Sequence, residues 1–135
     1  FKIGEALYLE EGTDVSIFAT GHLVWQALEA QVELEKQGIS AEVINIHTIK
    51  PLDHIAILES ARKTKCVVTA EEHQMNGGLG DSVAQLLVRE LPTPLEMVAM
   101  NDSFGESGPP MKLMEKYGLT SKEIISSAKK VISRK

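Results

Sequence analysis

Apolar residues along this chain fall into two kinds of segment that alternate. Val15-Ser16-Ile17-Phe18-Ala19, Val43-Ile44-Asn45-Ile46, Cys66-Val67-Val68-Thr69-Ala70 and Leu95-Glu96-Met97-Val98-Ala99 are short runs of β-branched or apolar residues. Near-continuous apolar runs of this kind fit strands covered on both faces, as in a parallel sheet. Ahead of them, Ala6-Leu7-Tyr8-Leu9 is followed by the turn-rich link Glu10-Glu11-Gly12-Thr13. That link predicts a strand folded back beside Val15 to Ala19 as an antiparallel edge, which makes the sheet mixed and five-stranded.

Between the strands the period changes to that of a helix. Leu23, Ala27, Ala30 and Leu34 mark one apolar helical face, with Gly38 placed to end it in a left-handed cap. A second helix is predicted after Pro51, with Asp53 as N-cap and Ile55, Leu58 and Arg62 stepping round it. The third follows Gly80, with Val83, Leu86 and Leu87 inward and Pro92 blocking its continuation. Thr120-Ser121-Lys122-Glu123 has capping-box spacing ahead of Ile124, Ile125, Ala128, Val131 and Ile132, the apolar face of a last helix. Lys129, Lys130, Arg134 and Lys135 suit the negative end of that helix. Strands alternating with helices predict an α/β fold of βαβ units around a mainly parallel sheet.

The length of 135 residues matches one domain, residues 1–135, and is too short for an eight-stranded α/β barrel of about 250 residues. A chain 43% hydrophobic and 24% charged is composed like a folded globular protein rather than a disordered one. With 14 Lys and Arg against 19 Asp and Glu, and few aromatics, it lacks the basic groove and stacking platforms of a nucleic-acid binder. No membrane span or signal peptide is evident, and the lone Cys66 fits a reducing compartment, so a cytoplasmic location is expected. The chain opens on Phe1 rather than methionine, and is expected to be a piece of a longer polypeptide.

In an open parallel sheet, ligands gather outside the C-terminal strand ends, so the candidate chemistry lies in the loops after the strands. Thr20-Gly21-His22 allows a tight turn into a helix whose N–H groups would point outward, a candidate anion seat; turn geometry alone also accounts for it. After the next strand, Pro51 and Asp53 explain most of the loop by turn chemistry, leaving His47 as a solvated or functional histidine. Glu71-Glu72-His73 followed by Asn76-Gly77-Gly78-Leu79-Gly80 is the most distinctive stretch. Its glycines imply close backbone approach to a neighbouring chain, a ligand or a facing loop. It lacks the spacing of a dinucleotide fingerprint or P-loop. Adjacent residues on an extended strand point to opposite faces, so Glu71, Glu72 and His73 cannot all face one metal ion. Phe104, in the long loop 102–110, is the type of residue that plugs an interface or core edge, and Ser107 lacks the flanks of a hydrolase elbow. Cys66 reads as core filler.

Taken together, these segments resemble the C-terminal domain of transketolases. The resemblance is carried by Asp14 to Gly21, Ala27 to Ala30, Gly38 to Asn45, Thr48 to Asp53, Val68 to His73 with Gly77 to Gly80, Phe104 to Gly108 and Lys116 to Thr120. It covers nearly the whole chain and is strongest to the bacterial and archaeal enzymes split into two subunits, of which this would be the end of the C-terminal one. Deoxyxylulose-phosphate synthases and the beta subunits of 2-oxoacid dehydrogenases share the domain.

The resemblance implies a Rossmann-like three-layer sandwich. It also implies participation in two-carbon ketol transfer between sugar phosphates by an enzyme using thiamine diphosphate and magnesium. In that family the cofactor is held by an N-terminal domain with a Gly-Asp-Gly motif and a middle, pyrimidine-binding domain. Here Gly80-Asp81-Ser82 is not that motif, so no catalytic, cofactor-binding or metal-binding residue is carried over. What remains is an assembly domain, packing on the N-terminal and middle domains in a homodimer, with its loops Thr20 to His22, His47, Glu71 to His73, Gly77, Gly78, Gly80 and Phe104 as interface or regulatory anion site. A free-standing module for a small anion or sugar phosphate is the alternative.

Overall fold

The computed structural model describes residues 5–47, 51–74, 78–100 and 121–135, with the side chains of His73, Gln74 and Met100 outside the description. Five strands, β1 (Leu7–Glu10), β2 (Val15–Ala19), β3 (Ala41–Asn45), β4 (Val67–Gln74) and β5 (Leu95–Met100), form one sheet in the order β1-β3-β2-β4-β5. The described helices are α1 (Leu23–Lys36), α2 (His54–Thr64), α3 (Leu79–Glu90) and α4 (Ser121–Ile132). β2, β3, β4 and β5 run parallel and β1 antiparallel, so the α/β fold with a mixed five-stranded sheet is as expected.

The partner of β1 is not the expected one. It pairs with β3 rather than β2, placing Leu7 opposite Asn45 and Tyr8 opposite Ile44. Both edges of β2 are taken by parallel neighbours, so the link from β1 must step across β3. Gly12 makes the step: a Cβ there would lie 2.3 Å from the Ala41 carbonyl carbon and 2.5 Å from the Glu42 nitrogen. The crossing is pinned by the Asp14 N–H on the Ser40 carbonyl at 2.8 Å and by the Ser40 N–H on the Asp14 carboxylate at 2.7 Å.

Strand alternation divides the core into two layers. On one face Val15, Ile17, Ala19, Val43, Val68 and Ala70 pack against α1 and α4; on the other Phe18, Ile44 and Val67 pack against α2 and α3. The faces of α1 and α4 are the predicted ones, with Leu23, Ala27, Ala30 and Leu34, and Ile124, Ala128 and Val131, all buried. Gly38 ends α1 at φ +81°, with its N–H on Glu35 and that of Ile39 on Leu34, a Schellman motif. Lys130 and Arg134 direct their charge at Glu96 on β5. Thr120, the expected capping residue of α4, lies outside the described residues.

Two helix expectations are corrected. Asp53 does cap α2, accepting the Ala56 N–H at 3.0 Å, but Ile55 is exposed and the buried face is Ala56, Ile57, Ser60, Ala61 and Thr64. This face is partly polar because the sheet beneath it presents polar groups, which an apolar-period reading passes over. α3 starts at Leu79, so Gly80 lies inside its first turn rather than before it. Glycine suits the close packing there, since a Cβ would meet Met97 Sδ at 2.9 Å and Thr69 Oγ1 at 3.0 Å and those side chains would have to shift.

Candidate functional site

The order of the sheet sets the candidate segments side by side at the C-terminal ends of β3, β2 and β4: half-buried His47 after β3, Thr20 to His22 after β2, and Glu71 to His73, which the sequence put in a loop but which extend β4 as its last part because they continue the strand backbone. Thr20 is tied to β4 by its N–H on the Ala70 carbonyl at 3.1 Å. Gly21 is left-handed, φ +63°, as a tight strand-to-helix turn requires. Gly77 and Phe104 lie outside the described residues, as does the side chain of His73.

The two glutamates of β4 divide between the faces of the sheet. Glu71 is fully buried on the α3 side, and its carboxylate accepts the Leu79 N–H at 2.7 Å and the Gly80 N–H at 2.6 Å. Glu72, half-buried on the α1 side, accepts the His22 N–H at 2.8 Å. Free N–H groups and the dipole at a helix start attract negative charge, and here the chain supplies that charge itself at two helices. Of the glycines after His73, Gly78 is the extended N-cap of α3, and Gly80 gives the close approach to β4 and β5.

A second polar cluster, which sequence reasoning missed, lies under α2. Glu42 is fully buried in β3; its Oε1 accepts from the Gly12 N–H at 3.2 Å and from Lys63 Nζ, and its Oε2 from Ser60 Oγ at 2.5 Å. Ser60 Oγ lies 2.6 Å from Ser16 Oγ, which lies 2.6 Å from Thr64 Oγ1, and Thr64 donates to the Cys66 carbonyl at 3.1 Å. The available signal was a glutamate set between the apolar Ala41 and Val43-Ile44 of a strand, together with Ser60 and Thr64 on one turn-spaced face of α2. Cys66 is buried core, as its sequence suggested; its Sγ donates to the Asp14 carbonyl at 3.2 Å, and burial pushes the thiol pKa up, away from nucleophilic use.

These arrangements support packing more than chemistry. Glu71 and Glu72 are engaged with backbone N–H groups, and among the described residues no group of three or more His, Cys, Asp or Glu could hold a metal ion. Among the described residues, too, no helix is long and apolar enough to cross a membrane.

Comparison with known proteins matches residues 4–124 to the family model "Transketolase, C-terminal domain". The chain belongs to the transketolase C-terminal domain family. It is 51% identical, over its whole length and 42% of the relative's, to the 6-deoxy-6-sulfo-D-fructose transketolase subunit SqwH of Clostridium sp. (strain MSTE9). It is 39% identical to 1-deoxy-D-xylulose-5-phosphate synthase 1 of Geobacter sulfurreducens, with 98% of this chain and 21% of that one covered. Among solved structures, a split gene transketolase, described as an inactive beta4 tetramer, superposes with a TM-score of 0.95 at 46% identity, covering 98% of this chain and 44% of that one. The transketolase C-terminal domain spans less than half the length of each of these relatives.

Proposed function

We propose that this chain is a non-catalytic assembly domain of a thiamine-diphosphate-dependent transketolase, working by packing on the N-terminal and middle domains that complete the enzyme. The observation that carries the reading is the fate of the carboxylates at the C-terminal edge of the sheet, where a ligand site would lie. Both Glu71 and Glu72 are engaged in holding helix starts, so neither is an open acid, base or metal ligand. In this reading thiamine diphosphate and magnesium are held by the other domains of the intact enzyme, in keeping with the absence, among the described residues, of a group of three or more His, Cys, Asp or Glu that could hold a metal ion. The strand-end loops, His47, Thr20 to His22 and the segment from Glu71 to Gly80 with Phe104, serve in this reading as the surface that meets those domains. The intact enzyme would be a cytoplasmic homodimer transferring two-carbon ketol units between sugar phosphates.

The test is to supply the isolated chain with thiamine diphosphate, magnesium, xylulose 5-phosphate and ribose 5-phosphate, then repeat with the remaining transketolase domains added. No turnover alone and turnover in the reconstituted mixture are expected; turnover by the chain alone overturns the reading. The 51% identity to a chain named for 6-deoxy-6-sulfo-D-fructose makes that sulfosugar the second donor to try. Turnover of it in place of xylulose 5-phosphate would assign the enzyme to sulfosugar metabolism with the domain's role unchanged.

A further inference from the structure

We propose that Glu72 is an intramolecular latch: its carboxylate occupies the space left by the missing Cβ of Gly21, holds the start of α1 against β4, and keeps that turn closed to outside anions. A Cβ on Gly21 would lie 2.6 Å from Glu72 Oε1, the same oxygen that accepts the His22 N–H at 2.8 Å. Glycine at position 21 thus meets two separate demands, a left-handed φ of +63° and the volume of an oxygen of the sequence-distant Glu72 carboxylate. The Thr20 N–H on the Ala70 carbonyl fixes the other side of the same turn, so the turn is bound to β4 at two points, one backbone and one side chain.

The neighbouring Glu71 shows why only one of the pair can open. Glu71 is fully buried with two backbone N–H groups on its carboxylate, whereas Glu72 is half-buried with one. Releasing Glu71 would strand buried donors, but a released Glu72 finds water, so this latch opens locally while the sheet and α3 stay intact.

Amide hydrogen exchange on the intact protein, resolved at His22, Leu79 and Gly80, tests the latch. Glu72→Ala is expected to speed exchange at His22 roughly tenfold, the loss of one charge-assisted hydrogen bond, and to leave Leu79 and Gly80 unchanged. Gly21→Ala is expected to speed exchange at His22 by more, since it displaces the Glu72 carboxylate and also places a side chain at φ +63°, and adding Glu72→Ala to it to change little further, because the carboxylate contact is lost only once. Additive effects, or unchanged exchange at His22 in Glu72→Ala, overturn the proposal. So does slowed exchange at His22 when millimolar inorganic phosphate is added to the unaltered protein, since a closed turn has no seat for it. Should Glu72→Ala accelerate exchange throughout the domain, Glu72→Asp decides: a carboxylate one methylene shorter must release His22 alone, and unchanged exchange there overturns the latch.

Discussion

Two fully buried glutamates, Glu42 under α2 and Glu71 under α3, solve the same problem in different ways. Glu71 faces two adjacent backbone N–H groups of one helix start, partners that can only donate and cannot turn away. Glu42 faces one backbone N–H from the β1–β2 link and a serine hydroxyl and a lysine from α2. The hydroxyl chain through Ser60, Ser16 and Thr64 can reverse its donor direction, and half-exposed Lys63 can turn to water. A buried carboxylate with backbone partners is thus a rigid joint, and one with side-chain partners an adaptable joint.

The largest effect should come from the crossing that brings Gly12 to Glu42. Gly12→Ala pushes a methyl into the Ala41 and Glu42 backbone and should destabilise the chain by about 3 kcal/mol or more, read as a lowered urea midpoint. A loss below 1 kcal/mol, on the order of an ordinary surface change, would show that the link can shift and that the Glu42 joint is looser still. Next comes Glu71→Gln. It sets an amide NH₂ against one of two N–H donors and should cost about 2–3 kcal/mol, with faster exchange at Leu79 and Gly80. Glu42→Gln should cost less, about 1 kcal/mol in the same urea assay, because Ser60 can accept from the new NH₂. Equal costs for the two glutamine variants would erase the distinction between the joints.

The smallest effect is at Tyr8, on the edge strand beside α2. Partial burial of a residue still 41% exposed, reinforced by Glu59, Glu42 and Asp53, raises its pKa from 10.0 to about 12. A group whose folded pKa is raised contributes stability that is complete below the unfolded value and lost as pH climbs through the folded one. A small fall in stability from pH 10 to 12 is therefore expected, and Tyr8→Phe should flatten that part of the profile. An unchanged slope in the phenylalanine variant would assign the fall to other groups and remove Tyr8 from the Glu42 neighbourhood.

Much of the fold was legible in the chain. The four parallel strands and the apolar faces of α1 and α4 follow from runs of β-branched residues and from helical spacing, local properties that tertiary contacts here reinforce. Asp53 was legible as a cap for the same reason, since its partner Ala56 stands three residues away. The face of α2 was not, because Ser60 and Thr64 are buried only by virtue of Ser16 and Glu42, which stand 44 residues and 18 residues from Ser60 in sequence. At the candidate site, the sequence placed Glu71, Glu72 and the glycines at the end of a strand but left their partners open.

By itself, then, the sequence determined the elements and the layering of an α/β sandwich, because periodicity and capping act over a few residues, while its motifs, not its periodicity, carried the family resemblance. Only the tertiary structure decided that β1 crosses to β3 and that the anions at the starts of α1 and α3 are the protein's own Glu72 and Glu71. Those outcomes depend on which backbone donor meets which carboxylate once distant segments are brought together, and a one-dimensional pattern of residue types carries no record of that distance.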